Sequence, residues 1–165
     1  MLIIATILIG LTAFAVTSLY VSQQYNNVNI QNQAENIANG LYISVSKNAN
    51  NTVFIVVNDF NYKGTLYFTA FYVPSALEND TQLITPQFAE QNVYPEILTP
   101  LPTTTASSLY FTNLNLMYQG NIELWQVPYL TPIVLKISPS VGYSPVILFF
   151  AQIQGMFVEV GYEWL

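Results

Sequence analysis

The chain has 165 residues, enough for one globular domain and an appended segment. Charged residues make up only 7% of it, against about 25% in typical soluble domains. The cations are Lys47, Lys63 and Lys136 and the formal net charge is −6, so the composition argues against nucleic-acid binding. The sequence contains no His and no Cys, which excludes disulfides, histidine catalysis and most zinc sites.

Uncharged polar residues must supply much of the surface, because the chain is rich in Asn, Gln, Ser, Thr and Tyr. Strong acid neutralises carboxylates and removes the ion pairs that depend on them. This chain has few such groups to lose, so we expect an acidic extracellular habitat.

Residues 1–21 form an apolar run, MLIIATILIGLTAFAVTSLYV, without charge or proline. A helix of about 20 residues is long enough to cross a bilayer. A secretory signal peptide is the first alternative, but it needs a positive n-region and a small-residue cleavage site. No Lys or Arg precedes the run, which indicates a basic leader removed ahead of Met1; the alternative is that Met1 is the initiator.

The helix is predicted to continue to about residue 46, which gives a first domain over residues 1–48. Apolar residues recur at steps near three and four along 22–46, with Gly40 as a tolerated interruption or an early end. These residues are Tyr25, Val28, Ile37, Leu41 and Val45, with Ala34 and Ala38 nearby.

A helix that is apolar on every side needs either lipid or a bundle of identical helices around it. The residues predicted to pack in such a filament core are Ile3, Ile4, Ile7, Leu8, Leu11, Phe14 and Leu19. Small residues at near-helical spacing would let helix backbones approach closely. They are Thr6, Gly10, Ala13 and Thr17, although such a composition is common in any membrane helix.

Residues 49–165 are predicted to form a β-rich outer domain, so the fold class is α+β. Several short strands between turn signals favour an antiparallel β-sandwich or a barrel. The predicted strands cover residues 52–57, 62–73, 108–118, 121–127, 132–138 and 146–160, the last being one strand or a pair broken at Gly155. Residues 84–105 carry four prolines and are predicted to be an extended contact loop or a plain connector, with a short turn within 87–92.

Catalysis and cofactor binding are not expected, because the hydroxyl side chains have no recognisable activating partner. Glu159 and Glu163 are four residues apart, but the β context argues against a helical carboxylate pair. Calcium ligands are present by composition alone, without the spacing of a ligand loop, and are interpreted as solvated surface carboxylates. They are Asp59, Glu78 and Asp80.

Two N-glycosylation sequons occur, one at Asn50 with Thr52 and one at Asn79 with Thr81. Both are predicted to be exposed, the first just after the helix and the second before the proline-rich segment. N-linked glycans there would help to solubilise an almost uncharged surface.

The N-terminal sequence MLIIATILIGLTAFAVTSLYVSQQY, followed by a polar helical continuation and a β domain, resembles archaeal type IV pilins. The resemblance is closest to adhesion-filament pilins of acidophilic archaea, and it covers the whole architecture rather than a short motif. It implies that a prepilin peptidase removes a basic leader and that an assembly machinery moves the helices from the membrane into a homopolymer. It also implies an outer sheath of β domains, often immunoglobulin-like and glycosylated.

The same comparison makes a bacterial pilin doubtful. Bacterial type IV pilins usually have a methylated Phe at the first mature position and Glu at the fifth, where this chain has Met1 and Ala5. Archaellins, the subunits of archaeal swimming filaments, share the layout, although the small outer domain favours an adhesion pilus.

A membrane-anchored binding ectodomain, such as a sugar-binding or sensor module, is the alternative function. Its anchor would be residues 1–21, although no basic stop-transfer flank is visible. Aromatic side chains would line its ligand groove or, alternatively, pack the core: Tyr67, Tyr72, Tyr110, Trp125, Tyr143 and Trp164.

Overall fold

The computed structural model describes residues 2–78, 85–89 and 94–165. Within these residues, helix α1 (Leu2–Gly40) precedes nine strands and two short 3₁₀ turns, at Ser75–Leu77 and Pro86–Phe88. The strands are β1 (Leu41–Lys47), β2 (Thr52–Asp59), β3 (Leu66–Pro74), β4 (Glu96–Ile97), β5 (Thr103–Phe111), β6 (Leu116–Gln126), β7 (Ile133–Lys136), β8 (Tyr143–Ile153) and β9 (Met156–Trp164). The chain divides into two compact units, one ending at Gln33 and the other running Ala34–Leu165.

Helix α1 ends at Gly40, so the predicted continuation to about residue 46 is wrong. Residues 41–47 form β1 and pair antiparallel with β2. Leu41 and Val45 are four residues apart, which fits a helix, but with Ile43 they also alternate with exposed residues, as in a strand. The period of two is the one observed, because all seven residues of β1 pair with β2.

The end of α1 belongs to the second compact unit. Ala34, Ile37 and Gly40 are buried and lie three residues apart, so they share one face of the helix. The Asn61 side-chain amide donates a hydrogen bond to the Asn36 carbonyl at 2.9 Å. A Cβ at Gly40 would lie 2.7 Å from Asn61 Cγ, so only glycine fits this close approach without a shift.

Strands β1, β2, β7 and β4 form an antiparallel four-stranded sheet in that order. The predicted strands at 52–57 and 132–138 are confirmed, as β2 and β7. One face of these two strands is fully buried, through Val53, Ile55, Val57, Ile133 and Leu135. Strand β4 follows Pro95 and lies at the sheet edge, the position in which proline-containing segments are tolerated.

The other five strands close into a barrel in the order β3-β6-β5-β9-β8, with β8 pairing back to β3. Four of the five pairings are antiparallel, and β5 with β9 is parallel. The α+β class is therefore confirmed, with a mostly antiparallel β-rich domain. The immunoglobulin-like sandwich is not confirmed, because one of the two sheets is a closed barrel.

The barrel core is formed by large apolar side chains: Phe71, Val73, Ala106, Leu109, Phe111, Leu124, Val146, Leu148 and Phe150. Strands β3 and β8 are buried on both faces, so their outward side chains are covered as well. Tyr72 on β3 is 1% exposed, and its hydroxyl accepts a hydrogen bond from the Ser138 backbone N–H at 2.8 Å. This bond ties the barrel to the segment that follows β7.

In the barrel, the observed boundaries of β5 and β6 differ from the predicted ones. A turn over residues 112–115 separates β5 from β6, so the single strand predicted at 108–118 is wrong. The predicted break between the strands at 108–118 and 121–127 is also wrong, because β6 runs through it as one strand. The β5–β6 register places Gly120 and Asn121 opposite Ser107 alone, which is a β-bulge, and glycine is favoured at such sites.

The last predicted segment, 146–160, is a pair broken at Gly155, as β8 and β9. Gln154 and Gly155 connect the strands with φ values of 51° and 77°. Positive φ at both residues is characteristic of a type I′ hairpin turn, whose twist matches that of the flanking strands.

Candidate functional site

The first candidate site is the exposed apolar surface of α1 over residues 4–21, called here the apolar helix surface. Every residue in this range is exposed. Its ten large apolar side chains are Ile4, Ile7, Leu8, Ile9, Leu11, Phe14, Val16, Leu19, Tyr20 and Val21. The predicted packing residues from Ile4 to Leu19 all belong to this set, whereas the side chain of Ile3 lies outside the described part of the chain.

The exposure of this surface in water is energetically unfavourable. Fully burying a large apolar side chain contributes about 1.5–3 kcal/mol, so ten of them give an upper bound of roughly 15–30 kcal/mol. This exceeds the whole stability of a typical domain, about 5–15 kcal/mol. The apolar helix surface therefore needs lipid, detergent or other protein around it.

Two hydroxyl groups within this surface are hydrogen-bonded within the helix itself. The Thr12 hydroxyl lies 3.1 Å from the Leu8 carbonyl and 2.9 Å from the Ile9 carbonyl. The Thr17 hydroxyl donates to the Ala13 carbonyl at 2.8 Å. Because these hydrogen bonds are internal, both hydroxyls keep a partner when they move between lipid and an apolar helix bundle.

The predicted small residues lie on one side of α1. At about 100° per residue, Thr6, Gly10, Ala13 and Thr17 fall within roughly 60° of the helix circumference, in the gap left by the large side chains. A Cβ at Gly10 would meet no atom within 4 Å. The helix thus presents a shallow strip against which another helix backbone can pack closely.

By length and composition, α1 also suits a bilayer. Among the described residues, it is the one helix long and apolar enough to cross a membrane, over Ile4–Gly40. A helix of this kind near the N-terminus fits a membrane anchor or a signal sequence.

The second candidate site is an open groove of about 310 Å³ beside the barrel, called here the β3–β6 groove. Strands β3 and β6 pair at only two positions, Tyr67 with Gln126 and Phe68 with Trp125, and the groove follows their separation. Its described lining combines aromatic, polar and small apolar side chains: Thr69, Phe71, Pro86, Ala89, Tyr94, Tyr118, Asn121, Ile122, Glu123 and Trp125.

Of the aromatic residues considered in the sequence for a ligand groove, only Trp125 lines this one. Most of the others pack in the core. Tyr67 meets Phe157 edge to face at 5.2 Å between ring centroids, and Trp164 packs against the barrel core. Tyr94 and Tyr118 were not identified from the sequence as groove residues. Large side chains alternate with the polar residues Asn121 and Glu123 along β6, and this alternation could have indicated that β6 lines a groove.

Asp59, interpreted from the sequence as a solvated carboxylate, is instead buried at the end of β2. Its Oδ1 accepts hydrogen bonds from the backbone N–H groups of Asn61 at 2.7 Å and Tyr62 at 2.8 Å, which close the turn after the strand. Burial, followed by the charge of Asp59, raises the pKa of Tyr129 to about 12. The described residues hold no group of three or more metal-ligating side chains, and Asp80 lies outside them.

Glu159 lies on β9 opposite Phe150 of β8, so the two side chains share a face. Phe150 is a fully buried member of the barrel core. Burial in these surroundings raises the pKa of the Glu159 carboxyl from 4.5 to about 8. Glu163, four residues on, is exposed.

The sequon at Asn50 lies at the exposed tip of the β1–β2 hairpin. The Asn48 side-chain oxygen accepts hydrogen bonds from the backbone N–H groups of Asn50 and Thr52, both at 3.0 Å. This turn leaves the Asn50 position open to solvent, as a glycan requires. Asn79 lies outside the described residues.

Comparison with known proteins gave no match to a family model, to a curated protein or to a solved structure.

Proposed function

We propose that this protein is a structural subunit of an extracellular archaeal type IV adhesion pilus and that it polymerises through the apolar helix surface. The observation that carries the proposal is the run of exposed apolar side chains from Ile4 to Val21. The resemblance of the N-terminal sequence to archaeal type IV pilins supports the same function.

Assembly in this proposal is a transfer between two apolar surroundings. The precursor lies in the membrane, a prepilin peptidase trims it, and the assembly machinery moves α1 into a bundle of identical helices. The distribution of large side chains over most of the helix circumference favours a helix with neighbours on several sides. The internally bonded hydroxyls of Thr12 and Thr17 support a transfer without loss of hydrogen bonds.

The outer sheath of the filament would consist of the β-rich domains. Their surfaces carry few charges, and the exposed Asn50 position would add a glycan in this proposal. No enzymatic step is required of the chain.

The proposal is tested by electron microscopy of surface filaments from cells that produce variants of the chain. Leu8→Lys and Leu11→Asp each place an unpaired charge in the helix bundle, which costs several kcal/mol per subunit, and we expect filaments to disappear. Gln24→Lys is the matched control, because Gln24 is an exposed polar residue of α1 beyond the apolar helix surface. We expect it to leave filaments intact.

A charge within the apolar helix surface also weakens membrane insertion, so a second variant separates insertion from assembly. Gly10→Leu keeps the segment apolar but fills the small-residue strip. We expect this chain to reach the membrane at the wild-type level, measured by immunoblot, and to yield few filaments. Normal filament yield from Leu8→Lys would refute the filament core, and detergent-soluble monomers without fibres would instead support a membrane-anchored ectodomain.

A further inference from the structure

The β3–β6 groove has the size and the composition of a small-molecule site. Its volume of about 310 Å³ is at the lower end of the range of about 300–1,000 Å³ that is usual for ligand pockets. Aromatic rings and a few polar groups line it together, as in such pockets. The groove therefore offers room for a short, compact ligand rather than for a folded partner.

Trp125 provides a fixed flat surface in this groove. Its indole stacks on the Phe68 ring, with centroids 6.0 Å apart and an interplanar angle of 30°. Phe68 is itself fully buried and contacts Phe149, at 6.4 Å between centroids. Because the indole packs on this buried ring, little side-chain freedom is lost when a ligand contacts it.

Tyr94 also lines the groove, but unlike Trp125 it is largely exposed, at 61%. The exposed ring offers apolar area that a ligand bound in the groove would cover. Its phenol also supplies a hydrogen-bond donor at the rim.

The polar groups of the groove select against anions. Glu123 is an exposed carboxylate, Asn121 and Thr69 are uncharged, and no described lining residue is a cation. The chain as a whole carries a formal charge of −6. A nucleotide or an acidic peptide would thus be repelled, whereas a neutral ligand with many hydroxyl groups would find acceptors and donors.

We propose that the β3–β6 groove binds a neutral saccharide, with a pyranose ring stacked on Trp125 and its hydroxyls bonded to Glu123 and Asn121. The C–H face of a sugar ring is weakly positive and suits the negative face of an aromatic ring. Carboxylate and amide groups beside the indole then bind the hydroxyls at the ring edge. The inference concerns the β-rich domain alone and does not depend on polymerisation of the chain.

Binding is measured on the full chain, purified in a detergent without a sugar headgroup. Trp125 and Trp164 are the two tryptophans of the chain, so Trp164→Phe leaves Trp125 as the single indole reporter. This protein is titrated with maltohexaose, mannohexaose, cellohexaose and chitohexaose up to about 10 mM. We expect at least one of them to produce a saturable change in Trp125 fluorescence.

Two exposed lining residues test the site without disturbing the core. In the Trp164→Phe background, Tyr94→Ala and Glu123→Gln are each expected to weaken binding about tenfold. Tyr143→Ala is the control, because Tyr143 lines a different cavity, and it should leave the affinity unchanged. Circular dichroism of each variant confirms that the fold is retained.

Three results would overturn the inference. One is the absence of a saturable fluorescence change with all four neutral oligosaccharides. Another is equal binding of an acidic comparator, trigalacturonate, because the groove charge should exclude it. The third is unchanged affinity in both Tyr94→Ala and Glu123→Gln. None of these results bears on filament formation, so the two proposals are tested separately.

Discussion

Glu159 makes the stability of the β-rich domain depend on pH in an unusual direction. Its folded-state pKa is about 8, whereas its ordinary value is 4.5. The folded chain therefore holds this proton more tightly than the unfolded chain does. Glu159 therefore does not lower the free energy of unfolding below pH 4.5. Its ionisation lowers that free energy increasingly as pH rises from 4.5 to 8, and the full loss is reached above pH 8.

The size of the effect follows from the same two values. Each pKa unit corresponds to about 1.4 kcal/mol, so ionising Glu159 lowers the free energy of unfolding by at most about 5 kcal/mol above pH 8. Glu159 retains some solvent access, which reduces that bound. We expect a measurable loss of roughly 1–3 kcal/mol between pH 5 and pH 8.

The perturbation is Glu159→Gln, which replaces the carboxyl by a neutral group of similar shape. Urea unfolding of the full chain in non-ionic detergent, followed by near-ultraviolet circular dichroism, gives the free energy of unfolding at each pH. The wild type should become less stable from pH 5 to pH 8, and the variant should lose most of this dependence. At pH 8 the variant should be the more stable protein.

Glu163→Gln is the matched control, since Glu163 is an exposed residue on the same strand. It should preserve the wild-type pH dependence. If the wild type and Glu159→Gln give parallel curves between pH 5 and pH 8, the carboxyl is not held neutral by the barrel. A confirmed dependence would fit a protein that works in acid, as the low charge content predicts.

Two further predictions concern the hairpin turns. Gly155→Ala places a Cβ at φ 77° and should lower the free energy of unfolding by about 1–2 kcal/mol. Gln154→Gly in the same turn is the control and should not destabilise the protein. Equal losses of Tm in both variants would contradict the turn assignment. Asn50→Gln and Thr52→Val should each lower the intact mass of native material by the same glycan, and a wild-type mass equal to that of the bare polypeptide would exclude glycosylation.

Sequence patterns were sufficient where a single local period dominates. The apolar run of residues 1–21 has no charge and no proline, so a helix is predicted from composition alone. The alternation in β7 likewise indicates a strand without reference to the rest of the chain, whereas Gly155 left one long strand and a broken pair as alternatives. The residues proposed for the filament core, from Ile4 to Leu19, are exposed in the structure, and their packing in a filament stays a prediction.

Local sequence patterns did not determine the secondary structure where both a helical and a strand period fit the same residues. Leu41 and Val45 satisfy both a helix and a strand, and only the pairing of β1 with β2 excludes the helix. The barrel likewise depends on three non-local pairings, β3 with β6, β3 with β8 and β5 with β9, which no stretch of sequence encodes by itself. The strands of a sandwich and of a barrel show the same alternation of buried and exposed side chains. The two folds differ in whether the edge strands of the sheet pair with each other and close it.

The groove and the titrating carboxyl were decided by tertiary structure alone. Tyr94 and Trp125 are 31 positions apart in the sequence (125 − 94), and they line one groove because β3 and β6 separate after two pairs. Glu159 appears in the sequence as an ordinary acidic residue. Its pKa is set by the register that places it opposite Phe150, because desolvation depends on what surrounds a group. The sequence by itself determined an apolar helix followed by strands; the pairing of those strands determined what the β-rich domain buries and what it leaves open.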